Sequence, residues 1–266
     1  MKIKWGLKMW SRNSNLLEEA TDLIDSGIFQ YIELMTIPNL SIEPFLNYDA
    51  DYIVHVPHEE YGFDLGKKQQ SNYRILEESI GYANELNAKY IIIHPGSDSM
   101  NYALDFLNKI NDDRIAIENM PKIGDFKGLN LKMNGHSIPE MQKLINNKFG
   151  FCFDIAHAIK ASMSLGIEYK SFLSDFIKLK PKMYHLSDGR FDNERDEHLN
   201  IGEGDFDFNY ILKLINKQNI PTYITLETPR LNRNSLKEDI INLEHLILEG
   251  FLVNIYYFSR LDFHIK

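Results

Sequence analysis

Eight short apolar runs recur along this chain, separated by stretches of helical periodicity. Parallel strands can be joined only by long crossovers, so strand–helix alternation of this kind commits a chain to a parallel sheet. The runs fall near residues 3–7 (IKWGL), 31–35 (YIELM), 52–56 (YIVHV), 90–94 (YIIIH), 114–118 (RIAIE), 150–154 (GFCFD), 183–187 (MYHLS) and 222–227 (TYITLE). Between them LLEEATDLIDSG, NYRILEESIGYANELN, YALDFLNKI, SIPEMQKLIN, YKSFLSDFIKLK, FNYILKLINKQ and SLKEDIINLEHLILEG read as helices. PNLSIEPFLNY holds two prolines and has room for a short helix at most. Eight such units in roughly 250 residues match a closed (β/α)8 barrel, a single α/β domain. The barrel is expected over 1–250, and the aromatic-rich tail over 251–266 is not needed to close it. That tail either covers the outside of the barrel or joins a subunit contact, so a homo-oligomer stays open. Most runs are apolar without strict alternation, as expected of strands buried on both faces.

The runs end in residues that bind metals. His58, His94, His157 and His185 stand at or just past run ends, His198 follows in DEHLNIGEG, and two runs close on Glu118 and Glu227. Imidazole and carboxylate are the usual ligands of zinc, manganese and related divalent ions. In this barrel the C-terminal ends of the strands carry the active site, so fold and residue placement converge on one metal-binding mouth. A structural zinc site is normally closed by cysteine and histidine on short spacings, not by strand ends converging across a barrel.

Composition narrows the classes further. A formal charge of −9 counts against a protein whose affinity comes mainly from neutralising phosphates, although bound cations and a local basic groove can outweigh net charge. No stretch approaches the length of a membrane span, and MKIKWGLKMWSRNS lacks the apolar core of a secretory signal, so a cytoplasmic location is expected. Cys152 is the single cysteine, which excludes an intrachain disulfide; inside FGFCF it reads as a buried, inert thiol.

In this order the motifs PHEEYGFDLG, HPGS, IEN, FDIAHA, HLSD, DEHLNIGEG and LET resemble the xylose-isomerase-like barrels, a superfamily that includes the endonuclease IV group of AP endonucleases. The similarity runs from about residue 30 to 230. Carried over position by position, it implies a zinc set of His58, His94, Glu118, Asp154, His157, His185, Asp196, His198 and Glu227, with Tyr61 at the place of a DNA-contacting tyrosine. The chain departs from the endonuclease group in its first strand, KWGLKMW, in Glu33 on its second, and in NMPKIGDFKG after Glu118, where a glycine–glutamine–glycine loop is expected. A glutamate on the second strand looks more like the sugar isomerases and epimerases of the superfamily.

The resemblance therefore implies a metal-dependent enzyme of one of two kinds. In the leading reading Glu118, Asp154, His185 and Glu227 hold one divalent ion (zinc, manganese, cobalt or magnesium), and Glu118 and Glu227 serve as paired acid and base. The product is isomerisation or epimerisation of a small sugar through an enediolate. In the alternative all nine ligands engage two to three zinc ions for phosphodiester cleavage in abasic-site DNA. Glu33, Tyr61 and Arg190 are the expected substrate contacts, Glu33 being equally able to form a salt bridge inside the barrel. His55 reads as structural within its strand, and His136, His245 and His264 as packing or solvated residues. GEG at 202–204 is a turn before a helix that Asp205 or Asp207 could cap.

Overall fold

The computed structural model describes residues 3–218 and 220–250. Its strands are β1 (Ile3–Trp10), β2 (Tyr31–Met35), β3 (Tyr52–His55), β4 (Ile91–Ile93), β5 (Ile115–Glu118), β6 (Ile123–Phe126), β7 (Leu129–Lys132), β8 (Gly150–Asp154), β9 (Met183–Leu186) and β10 (Thr222–Leu226). Eight of them close into a barrel in the order β1-β10-β9-β8-β5-β4-β3-β2, every pair parallel. The other two, β6 and β7, form an antiparallel hairpin outside the barrel. The helices are α1 (Leu17–Asp25), α2 (Glu43–Leu46), α3 (Ser71–Glu85), α4 (Met100–Leu107), α5 (Ile138–Ile145), α6 (Ile155–Leu165), α7 (Tyr169–Phe176), α8 (Phe208–Asn216) and α9 (Lys237–Gly250). The tail over 251–266, with His264, lies outside the described residues.

All eight expected strands form, and the proline-rich segment contains only the four-residue α2. Two elements go beyond the sequence expectation. Helix α6 starts directly after β8, with no intervening loop to signal it; Asp154 ends the strand and caps the helix, its Oδ1 accepting the His157 amide at 2.7 Å. The hairpin turns through Lys127 and Gly128, both at positive φ, a turn chemistry that lysine–glycine announces less clearly than asparagine–glycine.

The strands do alternate, between two buried environments rather than between core and water. One set of side chains, among them Ile32, Leu34, Val54, Ile117, Phe153 and Leu226, joins the large core beneath the helices. The other set points along the barrel axis. Its lower layer is mostly apolar, with Tyr31, Ile53, Ile92, Ala116, Cys152, Met183 and Tyr223 packed together. Gly6 belongs to this layer by having no side chain: a Cβ there would lie 2.2 Å from the Tyr31 ring. Two residues further along several of these strands, on the same face, stand Lys8, Glu33, His55, Glu118, Asp154, His185 and Thr225, all buried. The period of two thus lifts a polar layer onto an apolar plug at the C-terminal mouth.

Candidate metal centre

Glu118 is the hub of this layer. It has no exposed surface; its Oε2 lies 3.2 Å from His55 Nε2 and 3.4 Å from both His94 Nε2 and His185 Nδ1, and its Oε1 lies 3.3 Å from His157 Nδ1. Among the described residues five groups of possible ligand atoms lie each within 4.8 Å, and three of them cover the mouth: His55, His94 and Glu118; Glu118, Asp154, His185 and Glu227; and His157, Asp196 and His198. The other two, Glu33, His55, His185 and Glu227 and Glu118, Cys152 and His185, overlap these. Glu118 is common to the first two of the three. The mouth thus brings several candidate ligand sets side by side.

Histidine orientation tests whether cations fit. A carbonyl oxygen only accepts, so a ring nitrogen bonded to one must carry the hydrogen. His55 Nδ1 donates to Val56 O at 2.8 Å, His157 Nδ1 to Asn119 O at 2.9 Å, and His198 Nδ1 to Glu227 O at 2.8 Å. His185 uses its other nitrogen, Nε2 donating to Glu33 Oε2 at 3.0 Å. Each ring then aims its remaining nitrogen at carboxylates: His55 at Glu118, His157 and His198 at Asp196, and His185 Nδ1 at Glu118 and Glu227. A lone pair facing a carboxylate oxygen is repulsive unless a proton or a metal ion lies between, and anchoring of the far nitrogen is how metal-binding histidines are held. Among the described residues six buried side-chain polar atoms have no hydrogen-bond partner, and four of them are His94 Nδ1, Glu118 Oε1, Asp154 Oδ2 and His185 Nδ1. Buried polar atoms are rarely left unpaired, and these four sit on residues of the first two groups. The donor set fits divalent metal ions.

Without metal, protons take that place. Burial opposes charging of His157 and His185, yet the carboxylates around them raise both pKa values well above the usual imidazole range. Burial pushes Asp154 up to about 6, aided by Glu118, Asp196 and Glu227 and opposed by His157. Burial acts on Glu227 in the same sense, but His185 and Lys8 outweigh it and bring that carboxyl down to about 2. Burial, then His94 and His55, lowers His58 to about 3, so its ring is neutral near pH 7.

Two residues in this layer escaped sequence reasoning. Lys8 lies with its ammonium against Glu227 and 2.6 Å from Glu33 Oε1, and these carboxylates hold it charged despite burial. A lysine between Leu7 and Met9 in an apolar strand was the available signal. His55 does lie within its strand, but it points at Glu118 rather than into packing. His58 lines the same cavity, stacked on His94 with ring centroids 6.0 Å apart, yet it stands outside the three ligand groups, where His55 takes the place beside His94.

The expected substrate contacts sit apart from the cavity wall. Glu33 is fully enclosed: Oε1 accepts from Lys8, and Oε2 from His185 and from Thr225 Oγ1 at 2.6 Å. Of its two sequence-level roles, the internal salt bridge is the one formed. Tyr61 meets His58 in an edge-to-face contact, ring centroids 5.5 Å apart. Arg190 is exposed and pairs with Glu197 at 3.3 Å. The cavity itself, about 360 Å³, is lined by polar residues, among them His58, His94, His157, Asp196, His198 and Glu227, and by apolar ones, among them Trp10, Met35, Met120, Pro121, Ile123 and Met133. Arg195 fastens the hairpin to the loop bearing Asp196 and His198, reaching Asp125 at 2.8 Å and Asn130 at 2.7 Å.

The remaining described histidines bond backbone, His136 Nδ1 donating to Met133 O and His245 Nδ1 to Ile201 O. Cys152 is buried, and burial pushes its thiol pKa up. Asp207, not Asp205, caps α8.

A family model described as xylose isomerase-like TIM barrel matches residues 47–246. The chain belongs to that family. Within it, a protein named probable endonuclease 4 from Malacoplasma penetrans (strain HF-2) is 30% identical over 224 residues, 72% of each chain. Among solved structures, endonuclease IV from Thermus thermophilus superposes with a TM-score of 0.66 at 18% identity, covering 92% of this chain and 98% of that one. A D-tagatose 3-epimerase-like protein superposes with a TM-score of 0.64 at 18% identity, covering 92% and 97%. At that identity the two structures speak for the fold, which xylose isomerase-like barrels share across both chemistries. Among the described residues no helix is long and apolar enough to cross a membrane.

Proposed function

We propose that this protein is a multinuclear metal-dependent phosphodiesterase of the endonuclease IV kind, acting on nucleic acid at abasic sites. One observation carries the reading: three ligand groups adjoin at the barrel mouth, two of them sharing Glu118, and four of their five histidines, His55, His157, His185 and His198, are anchored so that the free nitrogens face carboxylates. An enolising isomerase needs only Glu118, Asp154, His185 and Glu227; His94, Asp196 and His198 would then be surplus. The curated relative's name points the same way.

His55, His94 and Glu118 would hold one ion; Glu118, Asp154, His185 and Glu227 a second; His157, Asp196 and His198 a third. Bound there, such ions would supply activation of water and neutralisation of charge at phosphorus. The chain's own groups do the rest. Glu33, Asn119 O and Glu227 O fix the ring orientations of His185, His157 and His198. Met120, Pro121 and Ile123 give an apolar wall against which a sugar or base face can rest, excluding water from that side.

A second reading, sugar isomerisation or epimerisation, is favoured by the small cavity of about 360 Å³, whose wall includes residues of the hairpin. The two separate experimentally. Protein purified without chelator should contain two to three zinc ions per chain and cut a duplex oligonucleotide at an abasic site. A single ion, with turnover of ketoses or aldoses and intact DNA, would overturn the first reading in favour of the second.

A further inference from the structure

A fourth group of ligand-type atoms, Glu33, His55, His185 and Glu227, also lies within 4.8 Å, and it differs from the others in one respect. The Lys8 ammonium is already there. It ion-pairs with two of the four members, Glu33 and Glu227, and the lysine side chain is only 7% exposed. The unpartnered atoms divide accordingly. Neither Glu33 nor His55 has a buried polar atom without a partner, and His185 meets Glu33 through Nε2 while its unpartnered Nδ1 faces Glu118 and Glu227; Glu118 Oε1, Asp154 Oδ2 and His94 Nδ1, on residues of the neighbouring groups, are unpartnered too.

We infer that Lys8 is a resident cation: its ammonium fills the position bounded by Glu33, His55, His185 and Glu227, and so restricts metal ions to the neighbouring groups. This rests on the multinuclear reading above and deepens it, because it sets how many ions the mouth accepts and where. The reason is charge. Glu33 and Glu227 together with Glu118 and Asp154 put four carboxyl groups around one barrel axis, and a buried carboxylate without a counter-charge is strongly unfavourable. Covalent attachment makes this cation permanent and independent of metal supply, with Glu227 held through its Oε1. Lys8 is thus a positioning residue for Glu227 and Glu33.

The test counts metal. The parent, Lys8→Ala, Lys8→Arg and the double variant Lys8→Ala/Glu33→Gln are stripped with chelator, titrated with zinc, desalted and analysed for zinc per chain and for Tm. Lys8→Ala is expected to bind one zinc more than the parent, and zinc should raise its Tm by more than it raises the parent's. Lys8→Arg keeps the cation and the double variant removes a ligand, so both should keep the parent count. A folded Lys8→Ala with the parent count overturns the inference; so does a double variant that still gains an ion. If Lys8→Ala folds only with zinc present, the inference stands, and if zinc does not rescue it, the inference fails. A parent that binds no zinc defeats the functional reading instead, while a zinc ion gained by Lys8→Ala alone would still support the resident cation.

Discussion

Lys160 Nζ and the Glu197 carboxylate meet at 2.8 Å, with the lysine side chain fully enclosed. The same ammonium donates to Arg190 O and Asn193 O, each at 2.7 Å. Lys160 lies one helical turn beyond His157 on α6, so one helix carries a candidate ligand and the clamp on the loop that delivers Asp196 and His198. Lys160→Met should therefore free that loop and lose the ion of the His157, Asp196 and His198 group while the Glu118-centred groups stay loaded. Elemental analysis is expected to read one ion fewer per chain, and Lys160→Arg to restore it. Stability should fall by about 2 kcal/mol, below the full cost of breaking a buried pair because Glu197 is partly exposed. An unchanged metal count would separate the clamp from the metal centre.

Glu33 orients His185 by accepting from its Nε2 at 3.0 Å. Second-layer partners of this kind typically contribute about 10–100-fold to metal affinity. Glu33→Gln should weaken the tightest zinc site by roughly that factor in a competition titration with a chromophoric chelator. A change below about twofold would mean that packing alone holds the His185 ring.

Glu227 and His94 discriminate chemistry from stoichiometry. Glu227→Gln should abolish turnover on either functional reading while leaving the far-UV circular dichroism unchanged, because the side chain lies at the mouth and not in the apolar plug. Full activity in this variant would displace the site assignment. His94→Ala removes a ligand of one group only, so it should cost one ion and most phosphodiesterase activity, at least about a hundredfold. An isomerase needing a single ion elsewhere would be only weakened.

The barrel was legible in the sequence because its strands are short, apolar and separated by helices of clear period. The strand-end ligand candidates were legible too, and Glu118, Asp154, His185 and Glu227 do converge. What stayed hidden has physical causes. Lys8 was hidden because a charge in an apolar strand becomes meaningful only once the strand's inward face is known, and that face depends on barrel closure. His55 reads as packing for the same reason: three residues from His58, nothing local says which of the two rings meets Glu118. Glu33 offered two roles in the sequence, and its neighbours on the next two strands, Lys8 and Thr225, show the buried one. Helix α6 was masked by Asp154, which serves as strand end and cap at once.

Zinc binding should be coupled to proton release, and its sign follows from the imidazoles. In the metal-free fold the carboxylates raise His157 and His185 above the unfolded value of roughly 6.5, so both rings are protonated near pH 7. Their contribution to stability is fully present below that unfolded value and is lost as pH rises through the higher folded pKa. The metal-free chain should therefore lose stability on going from pH 6 upward, because the imidazoles of the unfolded chain give up their protons while the folded rings still hold theirs. Zinc requires the same nitrogens without protons, so the loaded chain should gain stability over the same interval. Below about 6, Asp154 takes up a proton as well and adds to the competition. Titration calorimetry in two buffers of different ionisation enthalpy should register net proton release at pH 7, and melting curves should show the zinc-induced rise in Tm growing with pH. If no protons are released and the rise is flat, the histidines are already neutral. The carboxylates around them would then have to be balanced chiefly by Lys8.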